Sequence, residues 1–540
     1  MKKHLILSLL VASALAFNAQ ALDTDRDLFK GDDVYGQTFF SVRPEFESAF
    51  PEKTVGFRDR AKARCDGHGG AFQFVPFGGR STKSKDLMKY FSPGGQTTLV
   101  VDSNPDFPVN GIGSQSDVQR DINPIHFGIN YTLNGEPGGP AGRFRSVIQF
   151  RPERTVGGLG ITYRQYVGRN CDCDDRTWWF EISAPILHVR NKMNLTETLI
   201  TTSGEPVDGG GILSPANMTE AFTGAVEFFG TGTRMSFGLI NDLRDNNNQT
   251  FDGIQSPKSA MRAWGSDIEL KLGRDWYTSD CVYMGGYVGL HIPASRKPNG
   301  RYVFEAIPGF NQHFGFMTGL LAGVEIWRDC DRSLSWEFET NHRFWIQNTQ
   351  VRSFDLKNRP WSRYMIVRRE DGEIAPGINM FTRQMKVHPR YSFDINTGLV
   401  YGNDCGFSAE LGYNFWARQG ERVKLKEPFP PANLGLVGFD DEGNIDPDFI
   451  NRLSNIGDNN TGANYPLITL PDSGIRPQDL NLLSAAAPAC LSNTIYGALG
   501  YAWDDRCYPL FVGLGGSYEF SGKNTALNRW LVWGKFGVSI

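Results

Sequence analysis

The chain has 540 residues, 40% of them hydrophobic and 21% charged, with 61 Gly, 38 Phe, 18 Tyr and 12 Trp. No stretch beyond the first twenty residues is apolar enough to cross a bilayer as a helix, which takes about 20 such residues, so a helical membrane protein is excluded. The formal net charge of −4 also points away from nucleic acid, whose partners are usually basic.

The amino terminus predicts export. Lys2 and Lys3 precede an apolar run from Leu5 to Phe17, and Ala19-Gln20-Ala21 supplies the small residues read by a signal peptidase. Residues 1–21 are expected to be a signal peptide, with no Cys at the junction for a lipid anchor, and the mature chain carries a net charge of about −6. Residues 22–69 follow no regular scheme apart from a candidate strand from Gln37 to Phe46. They are expected to form a periplasmic segment or a plug.

From residue 70 onward the chain predicts strands. The early ones fall near 71–79, 125–133, 146–150 and 159–167, and the next near 178–189 and 260–273. Later segments sort sharply by parity. Val282, Met284, Val288, Leu290 and Ile292 alternate with Tyr283, Gly285, Tyr287, Gly289 and His291. Leu334, Trp336, Phe338 and Phe344 alternate with Ser335, Glu337, Glu339, Asn341 and Arg343. The same period runs through 314–327, 389–401, 407–418, 494–503, 508–520 and 529–540. This is strand periodicity, and each segment is about ten residues, the length a tilted strand needs to cross hydrocarbon.

Two features distinguish a membrane barrel from a soluble sandwich. Trp178, Trp179, Trp276, Tyr277, Trp327, Trp336, Trp416, Tyr501, Trp503, Tyr508, Trp530 and Trp533 mark strand ends, where an interfacial girdle places such rings. Connections also alternate short and long, as expected of short periplasmic turns and long extracellular loops. The short ones form a repeat of acidic, Cys-bearing turns: Cys171-Asp172-Cys173, Asp280-Cys281, Asp329-Cys330-Asp331, Asp404-Cys405 and Asp504-Asp505-Arg506-Cys507.

The final strand places Trp530, Val532, Phe536, Val538 and Ile540 on one face and Lys535 and Ser539 on the other. Here the chain resembles bacterial outer-membrane β-barrel proteins of the porin type, over roughly residues 70–540. The resemblance implies an all-β fold, a transmembrane antiparallel barrel of about 14 strands (12–16), in the outer membrane of a diderm bacterium. It further implies outer-membrane lipid around the wall and a last strand read by the barrel-assembly machinery. Such chains usually end in Phe or Trp, and Ile540 stands in that place.

With the apolar parity facing lipid, the opposite parity lines a pore. The expected lining is Arg145, Arg151 and Arg164 from early strands and Glu325, Glu337, Glu339, Arg343, Glu410 and Glu519 from later ones, a basic wall facing an acidic one. Interior glycines at 285, 289, 315, 319, 323, 412, 513 and 515 are expected to leave space. Cys171, Cys173, Cys281, Cys330, Cys405 and Cys507 are candidates for disulfides in an oxidising compartment. The Asp- and Asn-rich stretches Asp242 to Asp252 and Asp440 to Asp448 lack calcium-loop spacing. No enzyme signature, metal site or cofactor motif emerges. The leading expectation is a porin-like channel for small hydrophilic solutes, with homo-oligomerisation left open. The alternatives are a plugged barrel for hydrophobic substrates, with residues 22–69 as the hatch, and a surface-displayed structural or adhesive barrel.

Overall fold

The computed structural model describes residues 35–44 and 54–55, most of 69–103, 143–203, 261–429 and 475–540, and a few short pieces between them. Twelve strands close into one antiparallel barrel: β1 (Gly70–Ser81), β2 (Glu153–Val167), β3 (Thr177–Ser183), β4 (Asp267–Thr278), β5 (Val282–Pro293), β6 (Gly315–Asp329), β7 (Arg332–Trp345), β8 (Tyr391–Asn403), β9 (Phe407–Arg418), β10 (Cys490–Trp503), β11 (Leu510–Lys523) and β12 (Arg529–Ser539). Each strand pairs with its neighbours in this order. β12 returns to β1, which pairs with β2 on its other edge, so no barrel edge is left open.

Two of the fourteen expected strands are not in the wall. The segment at 146–150 belongs to Arg143–Gln149, the middle strand of a separate sheet between Leu99–Asp102 and Thr196–Ser203. Of 125–133, the described strand is only Tyr131–Thr132, paired with Glu205–Pro206. The misassignment has a simple cause: alternation reports that one face is buried, not what buries it. Phe144 and Ile148 are buried in a protein core, not against lipid.

The expected segment 178–189 is split at Ala184-Pro185. Ile186–Lys192 carries on the register of β3 against β2, and Met261–Gly265, just before β4, continues the same ladder against it. These two strands extend the wall past the closed ring. Pro185 has no N–H to give the ladder, which places the break there.

All strand connections at one end are short or moderate, at 168–176, 279–281, 330–331, 404–406 and 504–509. The other end carries 82–152, 184–266, 294–314, 346–390 and 419–489, and the short 524–528. We refer to these as the turn end and the loop end.

The parity assignment holds along the wall. Leu272, Val288, Phe316, Leu411, Leu499, Leu514, Val532 and Phe536 are exposed on the outside, and Ile540 completes that face. Glu181, Lys271, Glu339, Asn341, Arg343, Asp394, Asn414, Glu519 and Lys535 are buried inside. Three expected girdle residues are corrected by the same parity. Trp179, Trp416 and Trp533 point into the barrel and are almost wholly buried, while Trp178, Trp276, Tyr277, Trp327, Tyr501, Trp503 and Trp530 are outward and exposed.

Above the loop end, the long connections build a core of their own. Tyr90, Phe91, Leu99, Phe144, Phe304, Phe354, Trp361, Phe381, Met385 and Phe429 join the inward residues Val75, Phe77 and Val156 in one continuous cluster. This cap sits directly over the lumen.

Candidate functional site in the barrel lumen

Two described pieces of the amino-terminal segment, residues 35–44 and 54–55, lie against the cap and the inner face of the barrel. In the cap, Gly36 and Gln37 donate their backbone N–H groups to Ser92 and Tyr90 carbonyls at 2.9 and 3.0 Å, and Thr38 donates to Ser484 at 3.0 Å. The Tyr90 hydroxyl donates to the Phe39 carbonyl, and the Arg352 guanidinium lies 3.5 Å above the centre of the Phe39 ring. Phe40 packs among Tyr90, Phe91 and Phe304 with ring centroids 5.3, 5.8 and 5.4 Å away.

Below the cap, inward residues of β9 meet the segment in descending order. Arg418, at the loop end, donates to Ser41 Oγ at 2.8 Å, and Asn414 Oδ1 accepts from Arg43 at 2.7 Å. Glu410 Oε2 accepts from the Val55 backbone N–H at 3.1 Å. Arg418 and Glu410 are eight positions apart on one strand, roughly 26 Å. From β12, three strands further round the wall, Arg529 donates to the Arg43 carbonyl at 3.2 Å and Lys535 Nζ donates to the Thr54 carbonyl.

The rest of the wall carries an interleaved charge network. Arg164 on β2 donates to Glu181 on β3 at 2.8 and 2.5 Å, and its guanidinium sits 4.3 Å over the Trp179 ring. Lys271 bridges Glu181 at 3.2 Å and Glu269 at 2.9 Å. Arg343 then joins Glu269 at 3.2 Å to Asp394 at 2.8 Å, and His291 lies 3.3 Å from Asp267. Across the barrel, Arg529 pairs with Glu519 at 2.6 Å. Buried ions in so apolar a shell persist only when paired, which accounts for the continuity of the chain.

The lumen glycines do not leave open space. A Cβ on Gly412 would fall 2.2 Å from the Tyr496 ring, and one on Gly319 would fall 2.4 Å from the Tyr287 ring. Gly323 faces Tyr283 and Gly515 faces Trp533 in the same way. Each aromatic is the direct cross-strand partner of its glycine, so the ring lies flat on bare backbone and leaves the middle of the barrel to the charged side chains.

The expected lining residues divide. Arg164, Glu337, Glu339, Arg343, Glu410 and Glu519 are inward and buried; Glu337 accepts from the Tyr283 hydroxyl and Glu410 from the Tyr496 hydroxyl. Glu325 lies beside a bulge at the turn end, paired with the exposed Arg328 at 2.6 Å. Arg145 and Arg151 are outside the wall. Arg145 lies in the separate sheet 3.5 Å from Asp102, and Arg151 is exposed beside Gln149. Sequence reading missed Glu181, Glu269, Lys271 and Asp394, although each falls on the polar parity of an expected strand.

Cys281, Cys330 and Cys405, and Cys490 on β10, are free thiols, so the expected bridges between those turns do not form. Successive turns are two strands apart, about 10 Å, beyond the Cα separation a disulfide can close. Cys171, Cys173 and Cys507 lie outside the described residues, as do the expected signal peptide and the stretches Asp242 to Asp252 and Asp440 to Asp448.

A closed antiparallel barrel that is apolar outside, charged inside and girdled by Trp and Tyr is the construction that lets strands live in a bilayer. The chain is an outer-membrane β-barrel protein of the diderm envelope. No known protein family matches it, and no curated protein is significantly similar. Solved barrels overlap most of its length only loosely. An outer membrane channel from Pseudomonas putida F1 is 9% identical over 90% of this chain and 100% of its own, with a TM-score of 0.35. The transport unit of the autotransporter AIDA-I from Escherichia coli gives 7%, 87%, 89% and 0.33. A toluene transporter, TbuX, from Ralstonia pickettii gives 8%, 95%, 98% and 0.26. At these scores none of them fixes a substrate for this chain.

Proposed function

We propose that the protein is an outer-membrane channel held shut by its own amino-terminal segment, with the turn end in the periplasm and the loop end outside, and that it admits hydrophobic small molecules. The observation that carries this reading is Phe40, a ring of the threaded segment seated among Tyr90, Phe91 and Phe304 at the mouth of a charged lumen. A hydrophilic solute would leave water to cross that aromatic cap, whereas an apolar one gains about 25 cal/mol for each Å² it buries there. An apolar ring can replace Phe40 in kind, loosening the segment at its upper anchor. This favours the plugged barrel over an open porin, and residues 22–69 serve as its plug.

The test is solute flux into proteoliposomes. Uptake of an aromatic hydrocarbon is expected to exceed that of a disaccharide, and Phe40→Ala is expected to raise the hydrocarbon flux by weakening the seat. Equal flux of the two solutes through the unaltered protein contradicts the reading.

A further inference from the structure

Just above the wall at the loop end, Asn348–Ser353, Thr382–His388 and Arg422–Leu425 form a three-stranded sheet. It stands on the rim: its strands connect to β7, β8 and β9 through two or three residues each. Its inner face packs on the cap core through Met385 opposite Leu425 and Val387 opposite Val423, with the buried Gln350 on the other side of Met385. Its outer face is basic. Lys386 stands directly opposite Lys424, and His388 directly opposite Arg422; Lys426 continues the row, bonded to Gln384 at 2.9 Å. Lys386, Arg422, Lys424 and Lys426 are exposed, and among the described residues none of these four has a carboxylate partner.

Like charges directly opposite on one face of a sheet are destabilising. The Lys386–Lys424 pair, with Arg422 and Lys426 on the same face, is relieved by an anion there. The apolar belt of the wall ends just beneath it, at exposed Phe344 and Ile346 and the Phe344–Tyr391 ring pair. His388 Nε2 donates to the Trp345 carbonyl at 3.0 Å, which seats the sheet directly on the rim of β7.

We propose that this face binds the phosphate groups of an anionic glycolipid in the outer leaflet, its acyl chains lying along β7, β8 and β9. The assignment rests on the proposed sidedness, with the loop end outward. The face is built into the rim, so it suits a lipid standing beside the wall. Lys386 and Lys424 span one phosphate, and Arg422 takes a second nearer the acyl chains.

The experiment uses the full chain in phosphatidylcholine nanodiscs doped with lipid A carrying two phosphates, with bound lipid counted by native mass spectrometry. Wild type is expected to retain lipid A, and the triple variant K386S/R422S/K424S to lose affinity roughly a hundredfold at low salt. Dephosphorylated lipid A should bind no better than phosphatidylcholine. Unchanged retention by a variant that still shows heat-modifiable migration overturns the proposal. So does inorganic phosphate displacing the lipid at equimolar concentration, which would make the site one for free phosphate. Thr349→Cys, on the same sheet, reports sidedness independently. Labelling of this residue by an impermeant maleimide on intact cells is expected, and its absence would overturn the outward orientation even where the nanodisc result stands.

Discussion

The backbone N–H of Val55 lies 3.1 Å from Oε2 of Glu410, deep in the lumen. It ties the lower part of the threaded segment to the same strand that holds Ser41 and Arg43 higher up. Glu410→Gln keeps the size and removes the charge. A hydrogen bond to a charged group contributes about 1.5–3 kcal/mol, so single-channel recordings are expected to show frequent brief openings in this variant. A trace as quiet as wild type would mean that the segment is not held there.

Burial sets the charge of a histidine in the cap. His313 lies in the 294–314 connection, its Nδ1 donating to the Ile346 carbonyl at 2.9 Å and its Nε2 accepting from Gln350 at 2.9 Å. Arg352 occupies Gln350 Oε1, which turns the Gln350 amide nitrogen toward the ring. Burial first, and then the nearby Arg352 charge, lower its pKa to about 4, against the Ile346 bond, which raises it. The unfolded chain therefore binds the proton first. The neutral ring's contribution is complete above about pH 6.5 and is lost as the pH falls toward 4. Proteolysis of the cap is expected to accelerate across that window in wild type, and His313→Gln to flatten the dependence.

Packing of rings on bare backbone makes a sharp mutational contrast. Gly412→Val drives Tyr496 off the wall and costs about 1–3 kcal/mol by overpacking. Gly402→Ala, whose new Cβ meets nothing nearer than Ser333 Oγ at 3.7 Å, is expected to be neutral. Urea midpoints in folding to vesicles should separate the two, and equal midpoints would remove the account of the lumen glycines.

In the charge network, Arg164→Ala takes from Glu181 its guanidinium partner and keeps the Lys271 bridge. Breaking a buried pair on one side costs about 3–5 kcal/mol, so the double variant with Glu181→Gln is expected to be more stable than the single one. Thermal unfolding of the three proteins in one detergent measures this directly.

Much of the wall was legible because a strand's period is two and one face met lipid. Neighbouring letters alone put Leu411 and Glu410 on opposite sides. The same rule misplaced Ile148, whose buried face meets protein, and Trp416, whose ring type suggested an interface while its parity put it inside. Glycine misled in the other direction, since Gly412 reads as space until Tyr496 is known to be its cross-strand partner. The threaded segment was least legible. Its contacts join Thr38 to Ser484 and Arg43 to Arg529, pairings that no local pattern encodes.

Planar-bilayer conductance tests most directly the proposal that the amino-terminal segment closes the lumen. The full-length protein is expected to be nearly silent, and a variant lacking residues 35–55 to open a stable, many-fold larger conductance while keeping heat-modifiable migration. A folded deletion variant as silent as the full chain, or a full chain that already conducts as well as the variant, would contradict it.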